Sequence, residues 1–378
     1  MFFSLAIFSI WRLLDFAVSF FSPQFVPYLG FFSYQKDLAA INLPLFIRSF
    51  ANFDGLFYLR IAEKGYSQFE HAFFPLYPLL IKYISYIFSN KLIVGLLISN
   101  ISFIFALFFL KKYLNELFKD TKLSNWIITL LLVFPSSFFF GSLYTESLFL
   151  LFTVLTFYLL HKKKIFIACI FSILAALTRF VGVFLFIPIL IYVINESWNT
   201  ISKKIKVFFY VISPLIGLGI YSTYLYFTTG NFIEFFTSQE AFSAGRSTKI
   251  ILFPQVIYRY IKIFLTADYN FQYFISSIEF LIFILFFIVI SLQLYLIIKK
   301  RSKNIALLSL TLFSLINILI PTFTGTFLSI PRFALISLSF FIFIALIKNI
   351  YIKTSIALFF LILHIVLLAY FIQGYFVA

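Results

Sequence analysis

What most constrains this chain is its near-unbroken succession of apolar runs, each close to the length that crosses a bilayer as a helix. Runs at 2–21, 91–110, 124–142, 144–160, 165–178, 180–195, 206–228, 273–298, 304–321, 332–348 and 354–376 make about eleven candidate spans. A helix needs about 20 residues to cross the hydrocarbon layer, and no ten-residue alternation of the kind a barrel requires is present. Only 11% of residues are charged and the mean hydropathy is +1.06, which excludes a soluble globular domain. The expected fold is an all-α polytopic membrane bundle, a single domain over 1–378. The first run keeps Arg12 and Asp15 in its middle and has no small-residue cleavage site, so it reads as a retained helix and not a signal peptide. Spaced three apart, those two charges neutralise each other.

The charges that remain are sorted by side. "KKYLNELFKDTK" (111–122), "HKKK" (161–164), "KKIK" (203–206), "KKRSK" (299–303) and the pair Lys348/Lys353 fall at every second boundary between runs. The positive-inside rule places them in the cytoplasm, and the N-terminus with them. The opposite face carries Asp37, Asp54, Glu63, Glu70, Glu146, Glu234, Glu240 and Asp268. Two long loops, about 22–90 and 229–272, then face outward. The net charge of +16 is spread over short loops and not gathered in a basic domain, so no nucleic-acid partner is implied. Cys169 and the scattered His71, His161 and His364 form neither a zinc site nor a disulfide framework.

The first outer loop holds the chain's densest polar stretch, "FANFDGLFYLRIAEKGYSQFEHAFFPLYP" (50–78). From Asp54, the spacing predicts a short amphipathic helix lying along the membrane surface. Tyr58, Ile61, Ala62 and Gly65 share one face, and Arg60, Glu63 and Lys64 the other. Pro75 and Pro78 then break the chain and start a second amphipathic piece, "LLIKYISYIF". Asp54 fits either a helix N-cap or a general base facing a pocket open to lipid-borne groups. Arg179, in "AALTRFVGVF", sits between two apolar runs. It either snorkels to the interface or binds a lipid phosphate, for which a planar multi-donor cation is suited. Glu146 is either an ordinary helix-start carboxylate or part of a site. Arg332, in "SIPRFAL", is an interfacial anchor or a guanidinium aimed inward by a fixed turn. "SAGRSTK" (243–249), with Arg246, reads as a solvated loop or a phosphate-contacting lid. "GLGIYS" (217–222) has the look of a nucleotide-binding glycine pattern but lies inside an apolar run with no strand before it.

Taken in order, "FANFDGLFYLRIAEKGY", "FFPLYPLL", "YTESLFLLFTVLTFYLL", "AALTRFVGV" and "SIPRFAL" resemble segments of the PIG-V-like mannosyltransferases, membrane glycosyltransferases of the GT-C class. The resemblance spans nearly the whole chain. It implies a GT-C type bundle that transfers a hexose, typically mannose, from a polyprenyl- or dolichyl-phosphate carrier to a lipid or glycan acceptor on the non-cytoplasmic face, with inversion. It implies an acid in the first outer loop as base, the place that Asp54 fills. Many relatives have Trp before this Asp and His shortly after it, whereas this chain reads Phe53-Asp54-Gly55-Leu56-Phe57-Tyr58, so no His role carries over. Inverting transfer needs one base and cations for the departing phosphate. The expected roles are Asp54 as base, Arg179, Arg332 and Arg246 on the donor phosphate, and Glu146, Tyr77, Tyr58 and Arg60 orienting substrate. A single lipid phosphate does not demand a divalent metal, and the chain has neither an Asp-X-Asp pair nor a Gly-rich cradle, so no cofactor is expected. Its compact length leans towards a prokaryotic plasma membrane, and an ER membrane would give the same topology with the lumen as the outer face. The rival readings are a transporter or flippase for a lipid-linked sugar, and a structural membrane subunit.

Overall fold

The computed structural model describes residues 2–29, 35–195, 201–242, 246–300 and 304–377. Ser243, Ala244 and Gly245 of the expected lid, Arg301 to Lys303 of one basic loop, and residues 30–34 of the first outer loop lie outside the described residues. Helices and 3-10 turns make up the ordered elements, with no strand among the described residues. Five of the described helices start where an Asn or Asp caps the first turn. The side chains of Asn90, Asp120, Asn270, Asn304 and Asn349 each accept a backbone N–H of the first turn, satisfying donors that would otherwise be orphaned.

Among the described residues, six helices are long and apolar enough to cross a membrane: Phe3–Gln24, Lys91–Phe118, Ile205–Thr229, Phe271–Lys299, Ile305–Thr322 and Ile350–Ile372. In Ile205–Thr229 only 22% of the most apolar window is buried by protein, which leaves the rest to lipid tails. The chain is a helical integral membrane protein. Glu146–His161, Ile165–Thr178 and Phe180–Asn195 are apolar but shorter. The runs 124–142 and 332–348 are not single helices. The first stops at Leu132 before Pro135 and resumes as the 3-10 turn Ser137–Phe140; the second divides into Ile330–Ala334 and Leu338–Ala345. Carbonyls freed near the first break are taken up by side chains: Ser142 Oγ donates to Phe138 O, Ser147 Oγ to Phe140 O, and His364 Nδ1 lies 3.3 Å from Phe134 O. Irregular backbone survives in such apolar surroundings only when protein groups satisfy it in this way.

The chain divides into two compact units. The first comprises 1–67, 75–154 and 344–377, and the second 68–74 and 155–343.

In the first unit, the charges of the opening helix are held by a partner from the far end of the chain. Asp15 accepts from His364 Nε2 at 2.8 Å and faces Arg12 at 3.5 Å, with Asp15 and His364 fully buried. Arg12 in turn lies 4.3 Å over the rings of Phe16 and Phe50. Ser137 Oγ, 3.0 Å from His364 Nδ1, completes a Ser–His–Asp sequence. Ser137 gives its proton to Leu132 O and receives Trp11 Nε1–H, and all three members are buried, so the arrangement is a frame and not a nucleophile.

The second unit is built on the pair Ile165–Thr178 and Ile201–Thr229, joined at Ser172 Oγ and Ser213 Oγ, 3.1 Å apart. After Arg179 the chain doubles back so tightly that a Cβ on Gly182 would come 2.5 Å from the Ala175 carbonyl carbon.

Candidate functional site

The helix carrying Asp54 begins at Asp54 itself, running Asp54–Lys64, with Phe53 in the N-cap position. The expected N-cap role therefore falls one residue early, and Asp54 occupies the first helical turn. Phe53 has φ +59° and ψ −116°, a conformation bulky residues avoid and one that costs on the order of 1–3 kcal/mol. Neighbouring bonds hold it there. Tyr144 Oη donates to Asn52 O at 2.7 Å, Asn52 Nδ2 donates to Phe371 O at 2.8 Å, and Leu143 N–H donates to Phe50 O at 2.9 Å. The Phe53 ring packs edge-on to Phe376 at 5.2 Å. A Cβ on Gly55 would meet Leu143 O at 3.2 Å, so close approach favours glycine beside the acid.

The helix is amphipathic as its spacing predicts: Tyr58, Ile61 and Ala62 are buried, Glu63 and Lys64 exposed, and Asp54 and Arg60 half-buried. Its apolar face is covered by protein, however, with Leu56, Phe57 and Leu59 buried as well. Tyr58 stands edge-on to Tyr77 at 5.2 Å. Tyr77 Oη lies 2.9 Å from Gly95 O and 2.8 Å from Ser99 Oγ, which itself donates to Tyr144 O. Burial pushes the Tyr77 phenol up against the Ser99 hydrogen bond, and Tyr58 and Glu146 push the same way, so it stays neutral. Tyr77 is fully buried with its hydroxyl engaged by protein. Its ring supports Tyr58 through that edge-on contact. Glu146, also fully buried, opens the helix Glu146–His161 two residues after Tyr144. Asp54, Tyr58, Tyr77 and Glu146 thus belong to one neighbourhood of the first unit, tied through Tyr144 and Ser99. Arg60 lies on the same helix over the Phe57 ring.

The arginines belong to the second unit. Arg179 is the extended residue between Ile165–Thr178 and the 3-10 turn Phe180–Leu185, and its guanidinium lies 4.8 Å from the Phe333 ring centroid. Arg332, 6% exposed, directly precedes Phe333 in the short helix Ile330–Ala334. That helix follows Ser329, which has φ +67°. Arg246 is half-buried, and the next residue, Ser247, donates its N–H to Thr324 O at 2.9 Å in the segment leading to Arg332. Thr248 donates N–H and Oγ1–H to Glu240 Oε1, and those bonds hold the Glu240 carboxylate below its ordinary range.

Residues not singled out from sequence complete this second group. Tyr260 Oη donates to Glu279 Oε2 at 2.8 Å, lies 3.3 Å from Thr326 Oγ1 and accepts Phe327 N–H at 3.1 Å. Burial, then the charge of Glu279, pushes the Tyr260 phenol up. Glu279 is 2% exposed inside the helix Phe271–Lys299. An acid alone in so apolar a run is itself a sequence signal of function. In the segment 68–74, Tyr221 Oη donates to the carbonyls of His71 and Phe73, and burial pushes the His71 imidazole down against the pull of Glu234 and Glu70.

Among the described residues no group of three or more His, Cys, Asp or Glu is placed to hold a metal ion. Chemically, the first unit offers a half-exposed carboxylate on a fixed corner, and the second offers arginines at helix breaks. No protein-family model and no curated protein matches the chain.

Proposed function

We propose that this chain is an inverting membrane glycosyltransferase of the GT-C class, similar to the PIG-V-like mannosyltransferases. It moves a hexose, mannose by the resemblance, from a polyprenyl-phosphate carrier to a lipid-linked or glycan acceptor. The reaction takes place on the outer face of a prokaryotic plasma membrane, with the N-terminus in the cytoplasm. The observation that carries the reading is the corner at Phe53. Backbone strain on a bulky residue is tolerated where surrounding bonds over-determine it, and such places cluster at active sites. Here the strained residue directly precedes a half-buried acid.

In this reading Asp54 takes the proton of the acceptor hydroxyl as its oxygen bonds to the anomeric carbon. The bond from that carbon to the carrier phosphate breaks, and the phosphate leaves with the electron pair. Arg179, Arg332 and Arg246 stabilise the charge that collects on it, as planar multi-donor cations do for phosphate. Tyr58, Arg60 and Glu146 orient substrate, and Tyr77 holds Tyr58.

The test uses purified protein in sealed liposomes with radiolabelled polyprenyl-phosphate-mannose, a lipid extract as acceptor and EDTA present. A new glycosidic bond to acceptor lipid is the expected result. Carrier moving between leaflets with no new bond would replace this reading with a transporter, and neither event would favour a structural subunit.

A further inference from the structure

The helix Phe253–Thr266 is too short to cross a membrane, yet it packs along one that is long enough. At one end the Phe253 ring lies 5.2 Å from that of Phe283 and 5.5 Å from that of Phe287. At the other end Phe264 lies 5.3 Å from Phe280 and 5.7 Å from Tyr273. The two helices are therefore antiparallel. The longer one, Phe271–Lys299, has 29 residues, against the about 20 that cross the hydrocarbon. Every placement of such a stretch along it includes Phe283 and Phe287, so Phe253 sits at the depth of the lipid tails.

An exposed apolar strip runs from Ile250, 75% exposed, through Leu252, Tyr258 and Ile261 to Leu265, 80% exposed. At about 100° per residue, Tyr258, Ile261 and Leu265 lie roughly a third of a turn beyond the contact made by Phe253, Tyr260 and Phe264. On the long helix the exposed Leu281, Leu285 and Ile288 lie roughly a third of a turn beyond Phe280, Phe283 and Phe287. In an antiparallel pair, equal turns of the same sense lead to the same side, so the two strips form one apolar face. Polar residues keep off it. Arg259 Nη1 donates to Gly325 O at 3.0 Å, and the exposed Gln255, Lys262 and Thr266 form a separate strip. The turn leading into the helix has its backbone bonded within the protein, as apolar surroundings demand. Ser247 N–H donates to Thr324 O, Ile251 N–H to Phe323 O, Thr248 N–H to Glu240 Oε1 and Lys249 N–H to Ser247 Oγ.

We infer that residues 250–266 enter the leaflet nearest Phe271, with Ile250, Leu252, Tyr258, Ile261 and Leu265 against the acyl chains of bulk phospholipid. Exposed apolar strips of this kind mark a membrane or protein contact, and this one continues the face that the long helix turns to lipid. Only part of the outer loop expected over 229–272 then stands in water, and the segment between Arg246 and the helix is held at the membrane.

The experiment places single cysteines in full-length protein whose own buried Cys169 is replaced by alanine, labels each with a small bimane fluorophore and reconstitutes it in phosphatidylcholine liposomes. Quenching by phospholipid with brominated acyl chains is compared with quenching by aqueous iodide. Leu281→Cys, on the long helix, and Asp268→Cys, in the exposed turn between the helices, set the two limits. Ile250→Cys, Leu252→Cys, Ile261→Cys and Leu265→Cys are expected to lose emission to brominated lipid as Leu281→Cys does, and to keep it in iodide. Tyr258→Cys gives a further position on the strip should one variant fail to fold. Loss to iodide at Ile250 and Leu252 places the strip in water and overturns the inference. Protection from both quenchers means that protein covers the strip, a second copy of this chain included, and overturns it as well.

Discussion

The corners before Asp54 and before Arg332 solve the same problem with opposite means. Each sets a non-glycine residue at positive φ, Phe53 at +59° and Ser329 at +67°, directly before a short helix that carries a charged side chain. At the first corner, the bonds that position Asn52 come from neutral groups: the Tyr144 hydroxyl and the backbone of residues 49, 371 and 372. The second corner is braced through Tyr260 by a buried acid, Glu279. A carboxylate that must take up and release a proton is served by neutral, rigid support. The units also differ in how they bury charge. The first brings together Arg12, Asp15 and His364, whereas in the second the buried Glu279 accepts from the Tyr260 hydroxyl.

The largest effect that would sharpen this contrast is on the frame. His364→Leu removes a partner of buried Asp15 and is expected to cost about 3–5 kcal/mol of stability, seen as a lower Tm, with donor affinity unchanged in the folded fraction. A weakened donor affinity would show that the frame and the phosphate group are not separable. Next comes Arg332→Ala, expected to weaken polyprenyl-phosphate-mannose binding about 10–100-fold, the worth of a lost charge-assisted contact. Unchanged affinity would remove Arg332 from the site. Tyr144→Phe deletes the donor to Asn52 O; it is expected to cost about 1 kcal/mol of stability and to lower kcat several-fold with KM for donor preserved. The smallest effect is at Ser329→Gly. Relief of the left-handed conformation and the added freedom of the unfolded chain nearly cancel, so thermal stability should move by less than about 1 kcal/mol. A large loss there would mean that the Ser329 side chain itself has a role.

Much of this was readable in the residues, and the misses have physical causes. The spacing around Tyr58, Ile61 and Glu63 marked the helix after Asp54. The interruptions at 133–136 and 335–337 escaped because hydropathy follows composition, and these segments stay apolar while their backbone bonds are handed to Ser142, Ser147 and His364, or, at Phe333 O, to Asn317. Hydropathy likewise gave the lone acid Glu279 no weight, since one carboxylate barely alters the average of a 29-residue helix. The Asp15–His364 contact joins residues 349 apart, a pairing no local pattern encodes. Asn52 and Tyr144 looked like ordinary neighbours of more conspicuous charges; their work is done through backbone carbonyls, which side-chain patterns do not show.

The central claim is that Asp54 does chemistry while the arginines do binding. The most direct measurement is the single-turnover rate of Asp54→Asn at saturating polyprenyl-phosphate-mannose, beside wild type in the same liposomes. The account predicts a rate lower by about 10²–10⁴-fold with the donor dissociation constant unchanged. A wild-type rate would contradict it, leaving Asp54 as a helix-start carboxylate and Glu146 as the next acid to test.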